Sequence, residues 1–302
     1  MGDEEKNQKK TYNKGMMRQA FPIIFFILML VYSLSLLIPM LWTLLSSVKG
    51  RLDFYNNPFG LPKVWKFSNY STAFNKLYVR IQTETGSRNV YMPEMLWNTL
   101  LYTLGGTIVT TMSHCCVAYA CAKYNFRFGK FLYGFVIVAL IMPIVGSLPS
   151  ELQLIRAIGF YDNMFGIIIM KAGFLGTNFL IFYATFKGIS WEYAEAALID
   201  GASHWKVLFS IMIPLASTTV FVTGLLCFIT MWNDYQSPMI YLPSYPTVAY
   251  GLFQYQFSTD AEINSVPMQL AGCTLAMFPI FVLFILFQDK LVGNLSIGGL
   301  KG

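Results

Sequence analysis

The feature that most limits what this chain can fold into is a set of apolar runs too long for the core of a water-soluble domain. The first, 21–45, carries no charged side chain. As a helix rising ~1.5 Å per residue it exceeds the ~30 Å hydrocarbon core of a bilayer. Comparable runs recur at 95–122, 131–148, 164–186, 215–235 and 268–292. Charged residues make up 12% of the chain, against ~25% in soluble domains, so the polar surface a soluble fold needs is missing. Inside lipid every backbone polar group must be paired within the protein, which leaves helices as the form for runs of this length. The expectation is an all-α, polytopic membrane protein with six transmembrane helices. The first run is longer than a signal-peptide core and no small-residue cleavage site follows it, so it reads as a retained signal anchor. Pro39 is expected to kink it, and Pro143 and Pro149 to break the third run.

Charge orients the segments. The net charge of +6 collects at run ends rather than on one face, which argues for membrane flanks and against nucleic acid. Residues 1–20 carry Lys6, Lys9, Lys10, Lys14 and Arg18, a short cytoplasmic arm. The connections 123–130 and 187–206 carry Lys or Arg, whereas 236–267 has neither. By the positive-inside bias the first two are cytoplasmic and the last external. The segment 46–93 holds Lys49, Arg51, Lys63, Lys66, Lys76, Arg80 and Arg88. It still reads as external, because charges in long loops weigh little. Residues 150–163 form a short external connection with one helical turn around Gln153. The division is then an arm at 1–20, a six-helix domain at 21–292 and a cytoplasmic tail at 293–302. Within that domain lie the external loop 46–93 and a cytoplasmic loop 187–214, and both chain ends face the cytoplasm. The five cysteines, an odd number, all lie in apolar runs, against a disulfide framework. No internal repeat and no low-complexity tract is evident.

The cytoplasmic loop 187–214 reads KGISWEYAEAALIDGASHWKVLFSIMIP. Glu195-Ala196-Ala197 is strong helix former. Asp200-Gly201 stops that helix, since glycine is favoured where φ must be positive just past a helix end. Ser203 can cap a second helix from His204. Trp205, Val207, Leu208 and Ile211 follow at near-helical spacing, and Pro214 opens the next run. This order of Glu195-Ala196-Ala197, Asp200-Gly201-Ala202, Ile211 and Ile213-Pro214 resembles the EAA loop of ABC importer permeases. The usual ending there is Leu-Pro, and Ile213 conserves the volume. Asn57-Pro58-Phe59-Gly60-Leu61-Pro62, then Trp65, Phe67, Asn69 and Tyr70, resemble the carbohydrate-uptake branch, as does the Gly-rich tail 294–302. The chain is most similar to the smaller permease subunit of maltose-type systems.

That resemblance implies a type I ABC importer permease fold in a bacterial cytoplasmic membrane, importing a sugar or oligosaccharide by alternating access. It implies a second permease, two ATPase subunits and an external solute-binding protein as partners. ATP and Mg would sit on the partner ATPase, and this chain would bind no cofactor. A Gly-x-x-x-x-Gly-Lys-Ser/Thr phosphate loop is absent from the sequence, and no catalytic constellation appears. The ATPase-coupling residues implied are Glu195, Ala196, Ala197, Asp200, Gly201, Ala202, Trp205, Leu208, Ile211 and Pro214. Glu195 would offer a carboxylate, and Trp205 and Leu208 apolar contacts. A permease for a non-sugar solute, a secondary transporter with coupling charges in its bundle and an intramembrane enzyme remain alternatives.

Polar residues inside the runs are candidates for the substrate path. Lys171 is an ionisable group within a membrane run; it either faces the pore or snorkels to the external interface. Trp232-Asn233-Asp234 combines an aromatic face for sugar C–H surfaces with groups that pair hydroxyls, or else belongs to an interfacial aromatic belt. Asn98 and Asn178 face the pore or bond a neighbouring helix. His114, Cys115 and Cys116 hint at metal, but adjacent helical residues point to different faces, so no metal ligand is assigned.

Overall fold

The computed structural model describes residues 2–83, 86–142, 146–258 and 264–293, with side chains described from 21 onwards except at 83 and 289–293. The tail 294–302 and Pro143 lie outside the described residues. Helix α1, Gly2–Ser47, begins in the arm and runs on through Pro22 and Pro39. The arm expected at 1–20 is thus helical and continuous with the first span. No side chain from 21 to 45 is fully buried by the rest of the chain, as suits a helix that faces lipid along most of its length.

The segment 46–93 is an ordered layer rather than a plain loop. Helices α2 (Arg51–Asn56) and α3 (Ser68–Lys76) precede strands β1 (Tyr78–Thr83) and β2 (Gly86–Tyr91), which pair antiparallel with Val79 opposite Val90. The fold is therefore mostly helical but not all-α. The cause is legible in the period-2 alternation of Leu77, Val79 and Ile81, all buried, with exposed Tyr78, Arg80 and Gln82. Lys49 is 1% exposed. Its ammonium donates to the carbonyls of Asn57 (2.7 Å) and Pro58 (3.2 Å), and such pairing is what makes a buried charge tolerable. Asn69 donates to Ser47 and Lys49 carbonyls at 2.7 and 2.9 Å, fixing the layer to the end of α1.

Helix α4 (Met92–Lys123) is the centre of the molecule. Helices α5 (Arg127–Ile141), α6 (Leu148–Ala157), α7 (Met164–Met170), α8 (Thr177–Gly188), α9 (Glu192–Ile199) and α10 (His204–Val207) follow. A π-helical turn, Leu208–Met212, and α11 (Ile213–Leu215) lead into α12 (Ser217–Trp232). Helices α13 (Gln236–Tyr241), α14 (Val248–Tyr255) and α15 (Val266–Gly293) complete the order. Helix α4 packs on α5, α7, α8, α12 and α14, while α1 lies along α15. Three core clusters run down α4. The first, beside the β-hairpin, joins Met95 to Leu77, Val90, Val248 and Ala271. The middle one joins Tyr102 to Ile155, Ile167 and Met231. The third, beside α9 and α10, joins Cys115 and Tyr119 to Phe182, Phe186, Ala194 and Leu208. Gly106 lets α4 and α12 approach closely, since a Cβ there would run into Met231 Sδ.

Among the described residues three stretches are long and apolar enough to cross a membrane: Phe21–Ser47, Met92–Lys123 and Val266–Gln288. The pair His204–Leu215 and Ser217–Trp232, bent by 81°, makes a fourth if taken as one span. The other expected spans differ from their runs. The third begins at Arg127, because Arg and Lys are good helix formers, and ends at Ile141. The fourth is split into α7 and α8 at 171–176, where Gly173 and Gly176 offer no side chain to hold a helix. The turn expected around Gln153 is the full helix α6.

Candidate functional site

Two groupings carry the chemistry. The first is the helix–turn–helix α9–α10. Helix α9 ends in a complete Schellman motif. Gly201 has φ +82°, its amide donates to Leu198 O (3.0 Å), and the Ala202 amide donates to Ala197 O (2.9 Å). Half-buried Ala197 and Ala202 supply the small apolar contact that accompanies such a turn. Ser203 then caps α10, its Oγ accepting the Lys206 amide at 3.3 Å. The stop at Asp200-Gly201 and the cap at Ser203 are where the sequence puts them.

The side chains of this loop divide cleanly. Ala194, Val207 and Leu208 are buried in the third of the chain's own clusters. Leu208 is only 4% exposed, so its expected contact with a partner is corrected: it anchors the loop from behind. Ile211 is half-buried, and Pro214 is exposed at the start of α11. Glu195, Ala196, Asp200 and Gly201 are exposed. Trp205 is 69% exposed and Ile199 86%, with Trp205 stacked on Phe209. Tyr193, Ile199 and Phe209 extend this exposed apolar face. Sequence reading overlooked them, although Tyr193 and Ile199 flank the Glu195-Ala196-Ala197 motif on the same helix.

The second grouping lies where α7 breaks. Lys171 caps α7 and turns its ammonium toward Asp234, just past α12. Lys171 Nζ is 3.8 Å from Asp234 Oδ2 and donates to Ser237 Oγ at 3.3 Å. Tyr102 of α4, wholly buried, donates its hydroxyl to Asp234 Oδ2 at 2.7 Å. The Ser237 amide donates to Asp234 Oδ1 at 2.9 Å. Two residues named separately from the sequence are thus one charge pair, and Lys171 does not reach out alone to the interface. Tyr102 and Ser237 were missed, because nothing local marks a tyrosine in an apolar run as a partner of a distant carboxylate. Polar groups of α4 also close the break, with Thr110 Oγ1 donating to Lys171 O (2.9 Å) and Ser113 Oγ to Gly173 O (3.2 Å). Asn178 is half-buried in the first turn of α8.

The remaining path candidates bond within the chain. Asn98 is buried and donates to Pro246 O at 3.1 Å. Trp232 is buried, with its indole N–H on Ala276 O (3.3 Å). Asn233 is exposed and turns back onto Ile229 O (2.8 Å), the end of its own helix. His114 Nδ1 lies 2.7 Å from Thr110 O within α4.

Residues 115–296 match the model of the binding-protein-dependent transport system inner membrane component. The chain belongs to this family. It is a membrane-embedded transport component rather than an enzyme, and ATP hydrolysis belongs to a separate subunit of such systems. The matched region contains the α9–α10 loop, Lys171 and Asp234; Tyr102 and the layer 46–93 precede it. Among similar proteins is the diacetylchitobiose uptake system permease protein NgcG of Streptomyces coelicolor, 24% identical over 92% of this chain and 88% of its own length. The probable starch degradation products transport system permease protein AmyC of Thermoanaerobacterium thermosulfurigenes is 26% identical over 90% and 94%. The arabinooligosaccharides transport system permease protein AraQ of Halalkalibacterium halodurans is 25% identical over 95% of this chain and all of its own. A chain in the crystal structure of a bacterial ABC transporter that imports the acidic polysaccharide alginate superposes with a TM-score of 0.74. It is 25% identical, over 90% of this chain and 96% of that one. The fold is accordingly that of an ABC transporter permease over nearly its whole length.

Proposed function

We propose that this chain is one permease subunit of an ATP-driven ABC importer that moves a sugar or oligosaccharide across a bacterial cytoplasmic membrane by alternating access. The carrying observation is the exposed apolar-and-acidic face of α9–α10. It is built on a turn that requires glycine and is held from behind by Leu208 and Val207. Such a face seats on a partner's surface. In this reading the partner is an ATPase subunit bearing ATP and Mg, with two such subunits, a second permease and an external solute-binding protein completing the assembly. The carbohydrate class rests on the names of the similar permeases and on the 57–70 stretch.

Six spans follow if α5 and the broken pair α7–α8 each cross the bilayer alongside the four stretches above. Residues 21–292 then form the membrane domain. The arm, 123–130, 187–214 and 293–302 face the cytoplasm, and 46–93 and 236–267 face outside. The Lys171–Asp234 pair lies beside the path, with exposed Asn233 and half-buried Asn178 as further groups within reach of a solute. The test is to purify the complex in lipid nanodiscs. ATP hydrolysis is then measured with the binding protein and a panel of trehalose, diacetylchitobiose, maltotriose and arabinotriose, against amino acids and phosphate. Stimulation by a glycan supports the reading; stimulation by an amino acid or phosphate alone overturns its carbohydrate part.

A further inference from the structure

Both ends of the α9–α10 loop are covalently continuous with transport helices, through Ile189–Trp191 into α8 and through the π-turn into α12. Helix α4, the hub of the bundle, has no such connection. Its tie to the loop is made only by side chains, and these converge at its last turn. Lys123 donates from its ammonium to the carbonyl of Ile189, at the entry to the loop. Tyr124, the C-cap residue, places its hydroxyl 2.9 Å from His204 Nδ1, at the start of the second arm. The Tyr124 ring meets Trp191 edge-on at 5.7 Å, His204 at 5.6 Å and Tyr119 of α4 at 5.7 Å. One end of one helix therefore grips both arms of the helix–turn–helix. Sequence reading had placed Lys123 and Tyr124 in a short basic connection with no role beyond orientation.

We infer that Lys123 and Tyr124 form a latch that transmits movement of the α9–α10 loop into α4; this rests on the coupling role proposed above. Apolar packing between α4 and the loop already exists around Tyr119, Phe186 and Ala194. Apolar attraction is non-directional and lets surfaces slide. A hydrogen bond is directional and lost within a small displacement, so these two bonds make α4 follow the loop instead of gliding past it. In its N-terminal half α4 carries Tyr102, the hydroxyl that holds Asp234. Displacement of α4 thus reaches the Lys171–Asp234 pair without passing through either covalent neighbour of the loop. Lys123 and Tyr124 are positioning residues, since neither lies on the exposed face of the loop.

Hydrogen exchange on the intact complex in nanodiscs, with and without a non-hydrolysable ATP analogue, tests this without knowing the solute. In the parent complex the nucleotide changes exchange both at 192–207 and at 115–127. In Tyr124→Phe and Lys123→Met variants, singly and together, the change at 192–207 persists. The change at 115–127 falls by about fivefold in each single variant, as expected when one hydrogen bond of ~1 kcal/mol no longer biases a two-state element, and further in the double. An undiminished nucleotide effect at 115–127 in the double variant overturns the latch and leaves the coupling loop standing. Loss of the ATPase from the purified Tyr124→Phe complex also overturns it, because the residue would then shape the docking surface. No nucleotide effect at 192–207 in the parent complex would instead remove the coupling role itself.

Discussion

At Gly201 a Cβ would meet open space, so what excludes a side chain is the backbone alone. Holding a β-branched residue at φ +82° costs on the order of 1–2 kcal/mol. That strain is confined to a turn on the exposed side of the molecule. Gly201→Val is therefore expected to reach the membrane at normal levels while losing ATPase co-purification or stimulation. Glu195→Lys, which reverses one exposed charge, should do the same; immunoblotting of membranes and pull-down of the ATPase check both. The Lys171–Asp234 pair behaves differently. Asp234→Ala leaves the buried Tyr102 phenol unpaired and the Lys171 ammonium with Ser237 alone, at about 1–3 kcal/mol. Its complex should melt several degrees lower, whereas Asn233→Ala, which loses one bond to its own helix, should scarcely shift. A thermal-shift measurement in detergent separates them, and equal melting temperatures would show the pair to be dispensable for stability. The glycine turn and the Ser203 cap were readable because backbone chemistry is local. The charge pair was not, because Lys171 and Asp234 meet only after α7 breaks and α12 ends beside it.

Among the elements, the long apolar runs translated into helices where nothing interrupted them, as in α1, α4 and α15. They misled where glycine or a bend intervened. A hydropathy run cannot tell a continuous span from α7 and α8 with an extended piece between them. That piece is tolerated because Thr110 and Ser113 bond its carbonyls, which is the condition for irregular backbone at membrane depth. The hairpin β1–β2 was overlooked although its alternation is plain, because it sits in a stretch read only for charge. Orientation is tested on the loop between α9 and α10. A cysteine at Ser203, an exposed position, in a background lacking the native cysteines should react with a permeant maleimide. It should resist an impermeant one in intact cells. Labelling by the impermeant reagent would invert the topology.

The whole molecule is a set of helices gathered on α4, with the ordered layer 46–93 at one end and the α9–α10 loop at the other. The middle cluster and the Lys171–Asp234 pair lie between those ends. Such an arrangement cannot by itself drive transport uphill, because a change of state needs differential binding energy from some ligand. The account assigns that ligand to another chain, as ATP. A secondary transporter would instead draw on an ion gradient, and the paired charges Lys171 and Asp234 are the kind of groups such a mechanism would use. Uptake into proteoliposomes containing this chain, its second permease and the ATPase, with binding protein and radiolabelled oligosaccharide outside, decides between them. Accumulation is expected only with ATP sealed inside, unaffected by proton and sodium ionophores and lost in Gly201→Val. Accumulation driven by an ion gradient without ATP, or ATP-driven uptake undiminished in Gly201→Val, would contradict it.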